Sequence, residues 1–362
     1  MMKILHIHPS LSDGGIESMI CHLSNEMVKT SEVTICTIFA PKASDTLEQT
    51  LDPRIKRVSL GKVKPGFSLS EIFKIYSFIR KGGFDAVHIH GFFYYYALTV
   101  LLLSYKVKFF YTVHNDAYKE NTSWDRLLLP LKRWCFRRKN IRPITISRVS
   151  QDSFTRMYNT ESALVYNGIK RKDIRVSENL ISEYRITPST KVFIHAGRIT
   201  LQKNQLVLCR AFHRLIEDGQ DVVLLIAGAN QDDDIFKALE SYFSQRIVFL
   251  GSRSDVVELM SQADAMCLSS IWEGLPVTLL EALSVGCIPI CSPVGGIVDV
   301  VKDGYNGLLS EDSSESAYYD ALYRYISMTC ADIDEMKRNC VDSFDPYDIN
   351  NTAAMYVEQY SK

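Results

Sequence analysis

Two glutamates stand where they could hold a charged, polyhydroxylated ligand. Glu273 and Glu281 lie in the stretch SSIWEGLPVTLLEA at 269–282. The pattern predicts a strand ending at Ser269, a tight turn, and a helix beginning at Pro276, because proline suits the first helical position. Glu281 is then on the helix and Glu273 on the loop before it. The free N–H groups of such a helix end favour an anion or acceptor oxygens.

Two cations share another strand-to-helix loop. Arg198 and Lys203 follow the apolar strand KVFIHA, just before a predicted helix. Beside a helix N-terminus they could neutralise a diphosphate without a metal ion, although the spacing also fits two solvated surface charges. Gly14 and Gly15 lie in a similar loop of the first half, where glycine lets backbone approach a ligand. A tight turn with Glu17 capping the next helix explains them as well.

Five histidines lie at the ends of predicted strands. His114 ends KFFYTVH and could donate a hydrogen bond to a sugar hydroxyl or to a developing charge, although a lone histidine is more often hydrogen-bonded packing. His6, His8, His88 and His90 could in principle hold a metal ion. No carboxylate or cysteine completes a plausible ligand set, so we predict no metal site.

An acidic triplet also invites a metal hypothesis. Asp232, Asp233 and Asp234 follow a predicted strand and precede a helix, where they could hold a nucleotide diphosphate through a divalent ion. Helix capping and dipole complementation explain the same residues. We favour capping, because Arg198 and Lys203 could already neutralise the charge of a diphosphate.

Length and composition set the frame for these residues. A chain of 362 residues exceeds the usual size of a single core, so two domains are expected. With 46% apolar and 23% charged residues it is ordered, and its net charge of −1 argues against a nucleic-acid partner. Nine cysteines without a C-x-x-C pair predict reduced thiols in a cytosolic protein. The sequence begins in a strand pattern without a signal peptide, and the uncharged run 91–105 predicts a buried helix, being too short to span a bilayer.

Strands and helices alternate along the whole chain, which predicts α/β domains with parallel sheets. Predicted strands lie at 2–8, 33–39, 55–60, 84–90, 107–113, 141–146, 162–166, 191–197, 221–228, 246–250, 264–268 and 287–291. Predicted helices lie at 16–28, 69–80, 92–104, 124–139, 204–217, 233–243, 254–262, 276–285 and 315–329. A polar segment at 170–190 is taken as the linker. We therefore predict two Rossmann-like domains, 1–170 and 171–344, with a C-terminal helix at 345–362 packing back on the first. Such sheets bind ligands at the carboxyl ends of their strands, so two facing domains would place a site in the cleft.

One segment is strongly basic. Residues 126–142 contain seven basic residues and no acidic one, while Leu127, Leu128, Leu131, Trp134 and Cys135 fall on one helical face. A basic amphipathic helix with tryptophan is typical of a membrane-surface element. The alternative is an ordinary surface helix whose apolar face packs against the protein core. Pro130 interrupts the helical pattern, which weighs against one long membrane-surface helix.

Taken together, the motifs occur in the order of a known family. The chain resembles the retaining glycosyltransferases of family 4, which have the GT-B architecture of two Rossmann-like domains facing across a cleft. The matching stretches are GGIE at 14–17, TVHN at 112–115, VYNGI at 165–169, AGRITLQKN at 196–204, IAG at 226–228, FLGSR at 249–253, SSIWEGLPVTLLEALSVGCIPI at 269–290, GGIVDVV at 295–301 and DGYNG at 303–307. They cover nearly the whole chain, and the second domain matches better than the first.

The resemblance implies a nucleotide-sugar donor held mainly by the second domain. The implied donor-binding residues are Gly15, Arg198, Lys203, Glu273, Gly274, Leu275, Pro276 and Glu281. Arg198 and Lys203 would bind the diphosphate, which Gly15 would approach from the first domain. Glu281 would take the ribose hydroxyls. Glu273, with the backbone that follows it, would hold the donor sugar.

The implied reaction keeps the anomeric configuration and uses no cofactor or metal. The implied catalytic residues are His114, near the reacting carbon, and Glu273. Two positions depart from the family pattern: Lys170 follows Asn-Gly-Ile where Asp is frequent, and Asp299 stands where Glu is common. Both bear on contacts to the nucleotide and sugar.

The resemblance and the basic helix together indicate a glycan or lipid-linked acceptor in bacterial surface polysaccharide biosynthesis, such as capsule or lipopolysaccharide. The protein would be cytoplasmic, in peripheral contact with the inner face of the plasma membrane. Two alternatives stay open. A sugar-nucleotide 2-epimerase would convert UDP-N-acetylglucosamine without an acceptor, and a non-catalytic partner subunit would bind no nucleotide-sugar. The donor sugar, base, acceptor, linkage and oligomeric state do not follow from the residues.

Overall fold

The computed structural model describes residues 1–12, 14–42, 45–64, 66, 68–121, 123–172, 174 and 179–362. These residues divide into two units, one formed by Met1–Lys170 with Tyr347–Lys362 and the other by Arg171–Pro346. Asp13 of the predicted first turn lies outside the described residues, as do residues 173 and 175–178 of the predicted linker.

The first unit is built on a parallel sheet. Its strands are β1 (Lys3–His8), β2 (Glu32–Phe39), β3 (Lys56–Lys62), β4 (Ala86–Ile89), β5 (Lys108–Val113), β6 (Arg142–Thr145) and β7 (Ala163–Leu164). Its helices between strands are α1 (Gly15–Met27), α2 (Leu69–Gly82), α3 (Phe93–Leu103), α4 (Ser123–Leu127), α5 (Leu129–Arg137) and α6 (Arg148–Tyr158). The strand order is β3-β2-β1-β4-β5-β6-β7, with all pairs parallel. Every predicted strand of this unit is confirmed within a few residues.

The second unit repeats the plan. Its strands are β8 (Lys191–Ala196), β9 (Val222–Ala227), β10 (Ile247–Gly251), β11 (Ala265–Leu268), β12 (Ile288–Cys291) and β13 (Leu308–Leu309). Its helices are α7 (Gln205–Glu217), α8 (Asp233–Glu240), α9 (Val256–Gln262), α10 (Val277–Ser284), α11 (Ile297–Val300), α12 (Glu315–Ile326) and α13 (Cys330–Asp342). The order β10-β9-β8-β11-β12-β13 is again parallel. Residues of β9 and β12 are buried throughout, as sheets covered on both faces require.

The last helix, α14 (Ile349–Ser361), belongs to the first unit. Its Ile349, Ala353, Tyr356 and Tyr360 share a core cluster with α1 on one face of the seven-stranded sheet. Helices α2, α3, α5 and α6 form the cluster on the other face. Alternate residues along each strand enter opposite clusters, as the period of two requires.

Three helical regions depart from the sequence-based expectation. The helix predicted across 124–139 is split into α4 and α5, with Pro130 in the first turn of α5. Helices α6 and α13 were not predicted, because both are rich in polar residues: α13 buries only Ile333, Met336 and Cys340. Their N-termini are nevertheless capped by Ser147 and Thr329 side chains, a signal that the sequence does carry.

Candidate functional site

The predicted donor-binding residues of the second unit, apart from Glu281 on α10, lie on loops that follow neighbouring strands. Strands β9, β8, β11 and β12 are adjacent, so the loops at their carboxyl ends meet at one edge of the sheet. Gly228, with φ of 157°, lies directly against the backbone of Gly197, where a Cβ would overlap the Gly197 carbonyl. Glycine is therefore required for these two loops to pack together.

Arg198 and Lys203 sit in the loop between β8 and α7, as predicted. The loop is held from below by Gln205, whose amide donates to the Arg198 carbonyl at 2.8 Å and contacts His195 Nε2 at 3.2 Å. His195 Nδ1 lies 2.9 Å from the Cys267 carbonyl, and burial lowers the pKa of this imidazole to about 4. A neutral His195 thus donates to the neighbouring strand and accepts from Gln205. The Arg198 side chain is exposed, with Nη1 at 3.3 Å from Gln231 Oε1.

Lys203 and Glu273 form an ion pair with each other. Lys203 Nζ lies 2.5 Å from Glu273 Oε1, and the two side chains are only 15% and 6% exposed. The same oxygen accepts from the Ser270 hydroxyl at 2.6 Å, and Gln202 Nε2 lies 3.5 Å from the other one. The family resemblance implied separate partners for this lysine and glutamate, the diphosphate and the sugar. In the structure, Lys203 and Glu273 are instead paired with each other.

The loop that carries Glu273 is fixed by backbone contacts from both sides. The Ile271 N–H donates to the Gln202 carbonyl at 2.8 Å, and the Gly296 N–H donates to the Gly274 carbonyl at 2.5 Å. Gly295 has φ of 56°, and a Cβ there would overlap the carbonyl oxygen of Glu273. The paired glycines are therefore packing partners of the glutamate loop. In the sequence they stood out only as part of the motif GGIVDVV at 295–301.

Pro276 and Glu281 lie where the sequence placed them, with one difference. Pro276 is the N-cap residue of α10, whose first helical residue is Val277. Gly274, Leu275 and Pro276 are buried, so this loop can offer backbone groups but little side-chain surface. Burial raises the pKa of Glu281 to about 7, although nearby Lys172 opposes that shift. Its carboxylate therefore gains or loses a proton near neutral pH.

In the first unit, Gly15 is the exposed first residue of α1 and Gly14 is its N-cap. Gly14 offers no side chain for capping, and Glu17 accepts a hydrogen bond from Ser12 at 3.3 Å. Glu17 lies in the first turn of α1, with its carboxylate beside Gly14, where it complements the helix N-terminus. Gly15 remains available for a close approach of a ligand to the helix N-terminus.

His114 ends a chain of three hydrogen-bonded imidazoles. His6 Nδ1 lies 3.2 Å from His90 Nε2, and His90 Nδ1 lies 2.9 Å from His114 Nε2. Burial lowers the pKa of both His6 and His114 to about 3, so these rings are neutral at neutral pH. Within the described residues His6 Nε2 is buried without a partner. We assign the protons so that each ring donates to the next, which leaves a lone pair rather than an N–H unpaired and makes Nδ1 the protonated nitrogen of His114.

The histidines on β1 and β4 also form the cluster with the best metal-ligand geometry among the described residues. Nitrogens of His6, His88 and His90 lie within 4.8 Å of one another. However, both nitrogens of His88 are engaged, by the Tyr360 hydroxyl at 2.5 Å and the Thr112 hydroxyl at 2.6 Å. A divalent ion would break these bonds and bring its charge into a core without solvent access. The arrangement fits a hydrogen-bonded network better than a metal centre.

The acidic triplet at 232–234 has the capping role that we favoured. The Asp232 side chain accepts from the Ile235 N–H at 3.2 Å, at the start of α8. Asn230 Nδ2 donates to Asp233 at 2.8 Å. These contacts account for the first two carboxylates through local structure.

The interpretation of segment 126–142 needs a correction. Lys132 is 1% exposed, and its ammonium donates to the Tyr111 hydroxyl at 3.1 Å and to Asn121 Oδ1 at 3.0 Å. It also lies 4.3 Å from the centre of the Tyr111 ring. One of the seven basic residues is therefore part of the core. Cys135, on the face predicted to be apolar, is also buried, whereas Leu127 and Trp134 are 68% and 45% exposed.

Among the described residues, no helix combines the length and apolar character needed to cross a bilayer. All nine cysteines are free thiols, and all but Cys330 are buried.

Family models match both units. A model described as "Glycosyltransferase Family 4" matches residues 13–172, and one described as "Glycosyl transferases group 1" matches residues 176–341. Among solved structures, a glycosyltransferase from Rickettsia africae ESF-5 covers 99% of this chain and 98% of its own, with 17% identity and a TM-score of 0.81. Anabaena Alr3699/HepE in complex with UDP and glucose covers 100% of both chains, with 19% identity and a TM-score of 0.76.

Curated relatives are also glycosyltransferases. The Escherichia coli UDP-Gal:alpha-D-GlcNAc-diphosphoundecaprenol alpha-1,3-galactosyltransferase is 31% identical over 157 residues, which are 41% of this chain and 39% of that protein. The match thus spans about two fifths of that relative's length. The GDP-mannose:cellobiosyl-diphosphopolyprenol alpha-mannosyltransferase of Xanthomonas oryzae pv. oryzae is 22% identical over 99% of this chain and 96% of its own length. The chain therefore belongs to glycosyltransferase family 4, among the group 1 glycosyl transferases, and has the GT-B fold.

Proposed function

We propose that this protein transfers a hexose from a nucleotide-sugar donor to a glycan or lipid-linked acceptor, with retention of anomeric configuration and without a metal ion. The observation that carries the proposal is the site at the carboxyl edge of the second sheet. There Arg198, Lys203 and Glu273 lie on loops after two adjacent strands, directly before the N-termini of α7 and α10.

The charge at this edge suits a diphosphate. The Arg198 guanidinium is exposed, and the Lys203 ammonium is partly buried against Glu273. A diphosphate that reached Lys203 would compete with Glu273 for the ammonium. The released carboxylate, still held by Ser270, could then accept hydrogen bonds from hydroxyls of the donor sugar. Opening this one ion pair would thus provide a cation for the diphosphate and a carboxylate for the donor sugar.

The mechanism follows from where charge develops. As the glycosidic bond breaks, negative charge grows on the diphosphate oxygens, and Arg198, Lys203 and the helix N-termini would stabilise it. Positive charge grows on the sugar ring, where Glu273 would offset it. This division of roles gives the site no pair of carboxylates for a covalent double displacement of the hydrolase kind. We propose that His114 contacts the sugar near its reacting carbon, that Gly15 approaches the diphosphate, and that Glu281 binds the ribose.

The names of the relatives support the acceptor class. Both curated relatives described above carry a polyprenyl diphosphate sugar in their names, and the Anabaena structure contains UDP and glucose. We infer a lipid-linked acceptor in bacterial surface polysaccharide assembly, with the protein peripheral to the inner face of the plasma membrane.

The first test is a panel of nucleotide-sugars screened for protection against thermal unfolding, followed by transfer to a polyprenyl diphosphate sugar in the presence of a chelator. We expect one donor to raise the melting temperature, and transfer to continue with the chelator and give a product of unchanged anomeric configuration by NMR. Lys203→Met should abolish protection, whereas Lys237→Met, an exposed lysine of α8, should not. An epimerised donor without acceptor, or protection retained in the first variant, would contradict the proposal.

A further inference from the structure

Helices α3, α4 and α5 of the first unit expose large apolar side chains. On α3 and just after it, Leu98, Leu101, Leu102 and Tyr105 are 36%, 41%, 45% and 75% exposed. Their spacing of i, i+3, i+4 and i+7 places them on one side of the helix. The run 91–105 was predicted to form a buried helix. The helix forms as α3, but it carries a row of exposed apolar side chains in addition to its buried face.

The neighbouring helices continue this apolar surface. Trp124 and Leu127 of α4 are 47% and 68% exposed, and Trp134 of α5 is 45% exposed. Helix α4 is tied to α3 through Asp125, whose carboxylate accepts from the Tyr94 N–H at 3.2 Å. Exposed apolar patches of this extent in a folded protein mark interaction surfaces.

The end of α3 is also tied to the end of α5. Asn140 Nδ2 donates to Ser104 Oγ at 2.6 Å. The three helices are therefore neighbours, and we call their exposed residues together the apolar-basic face. It is defined by Leu98, Leu101, Leu102, Tyr105, Trp124, Leu127 and Trp134, together with the exposed basic residues described next.

The charges on the apolar-basic face have a single sign. Its exposed basic residues are Lys106, Arg126, Arg133, Arg137, Arg138 and Lys139. The sequence from 126 to 142 contains no acidic residue, and the carboxylate nearest before it, Asp125, is only 1% exposed. The guanidinium groups of Arg133 and Arg137 also donate to backbone carbonyls at the end of α6, at 2.6 and 3.4 Å. These hydrogen bonds fix the positions of both side chains.

We propose that the apolar-basic face binds the surface of an anionic lipid bilayer. Tryptophan and leucine side chains would enter the boundary between headgroups and acyl chains, while arginine and lysine contact lipid phosphates. The inference goes beyond the basic segment of the sequence, because α3 and Tyr105 just after it supply four of the seven apolar side chains, and the buried Lys132 contributes no charge to this surface. It rests on the proposed function only in that a lipid-linked acceptor gives the docked enzyme a purpose.

The test is sedimentation of the full chain with vesicles of phosphatidylcholine alone or mixed in equal parts with phosphatidylglycerol, without donor or acceptor. Wild type should bind the mixed vesicles much more tightly. Leu101→Ser with Leu102→Ser should weaken that binding about tenfold or more, because two apolar side chains leave the bilayer. Arg126→Gln with Arg138→Gln should weaken it by about twenty-fivefold on mixed vesicles, since each basic residue near an anionic surface contributes about fivefold.

Two matched controls keep the test specific. Met355→Ser alters an equally exposed apolar side chain of α14, on the other face of the sheet, and Arg210→Gln removes an exposed charge from the second unit. Neither should change vesicle binding, and donor protection against thermal unfolding should persist in every variant. Equal losses in the controls, or no binding of wild type to anionic vesicles, would overturn the proposal. A dimer that the leucine variant dissociates, seen by light scattering, would assign the face to a second copy instead. Vesicle binding without transferase activity would keep this inference and refute only the proposed reaction.

Discussion

The ion pair between Lys203 and Glu273 allows a test that separates folding from catalysis. Replacing Lys203 with Met leaves the Glu273 carboxylate buried without its cation. Removing one partner of a buried pair costs about 3–5 kcal/mol in unfolding free energy. Because Ser270 and Gln202 still contact that carboxylate, we expect the low end, about 3 kcal/mol.

The second substitution, Glu273→Gln, removes the stranded charge. The double variant Lys203→Met with Glu273→Gln should recover most of the lost stability, to within about 1 kcal/mol of wild type, because neither group then needs a counter-charge. Its transfer rate should remain about a hundredfold or more below wild type, since the cation that we propose stabilises the leaving diphosphate is still missing.

The measurements are urea unfolding and the initial rate of sugar transfer under saturating donor. A matched control is Arg246→Met, which breaks an ion pair to Asp221 at 3.0 Å at the opposite ends of the strands, just before β9 and β10. That variant should lose stability without losing catalytic rate once folded. Recovery of the transfer rate in the double variant would show that the lysine serves only the fold, and would refute its assignment to the diphosphate.

Three further outcomes follow from the structure. Lowering the pH from about 7.5 to about 5.5 should remove about 1 kcal/mol of unfolding free energy through each of His6 and His114, because the unfolded state takes up protons below its pKa while these buried rings, with pKa about 3, do not. Glu120 and Glu281, with pKa raised to about 7, act in the opposite direction, so the histidine contribution is measured as the difference between wild type and His114→Gln; a variant with the same pH dependence as wild type would contradict it. Gly295→Ala should cost about 2 kcal/mol or more and weaken donor binding in calorimetry, because its Cβ displaces the Glu273 carbonyl. Donor affinity should fall as the pH drops through 7, since protonation of Glu281 would remove the carboxylate that we propose accepts ribose hydroxyls. The Glu281→Gln variant should show a flat profile, and a flat wild-type profile would count against that role.

Much of the fold could be predicted because local patterns determine it. Strand alternation predicted both sheets, and the loop after β8 gave Arg198 and Lys203 a common position, since they are only five positions apart. The pairing of Lys203 with Glu273 could not be predicted, because it depends on β8 and β11 being neighbours although the two residues are 70 positions apart. Strand order follows from packing across the whole sheet, and it cannot be read from the local patterns of a single sequence.

The histidine chain illustrates the same limit. The sequence showed His90 and His114 at the ends of separate strands, and their hydrogen bond appears only because β4 and β5 are paired. His88 has two hydrogen-bond partners. One is Thr112 on a neighbouring strand, and the other is Tyr360 at the far end of the chain. Residue type indicated a metal hypothesis, and the partners that weigh against it could come only from the tertiary structure.

Lys132 is the residue whose position differs most from the sequence interpretation, and its contacts suggest why a cation lies in this core. Burial lowers the pKa of Lys132, and the nearby Glu120 carboxylate opposes that shift. Burial raises the pKa of Glu120 to about 7, and Lys132 opposes that shift in turn. Glu120 Oε1 accepts from the His114 N–H at 3.2 Å, while Asn121 accepts from the Lys132 ammonium at 3.0 Å. The lysine therefore holds the segment that follows β5 from within the core, and that segment fixes the backbone of His114. A basic run usually indicates a solvated surface, but one buried member of it can organise a loop, because a desolvated charge stabilises only an arrangement that satisfies it.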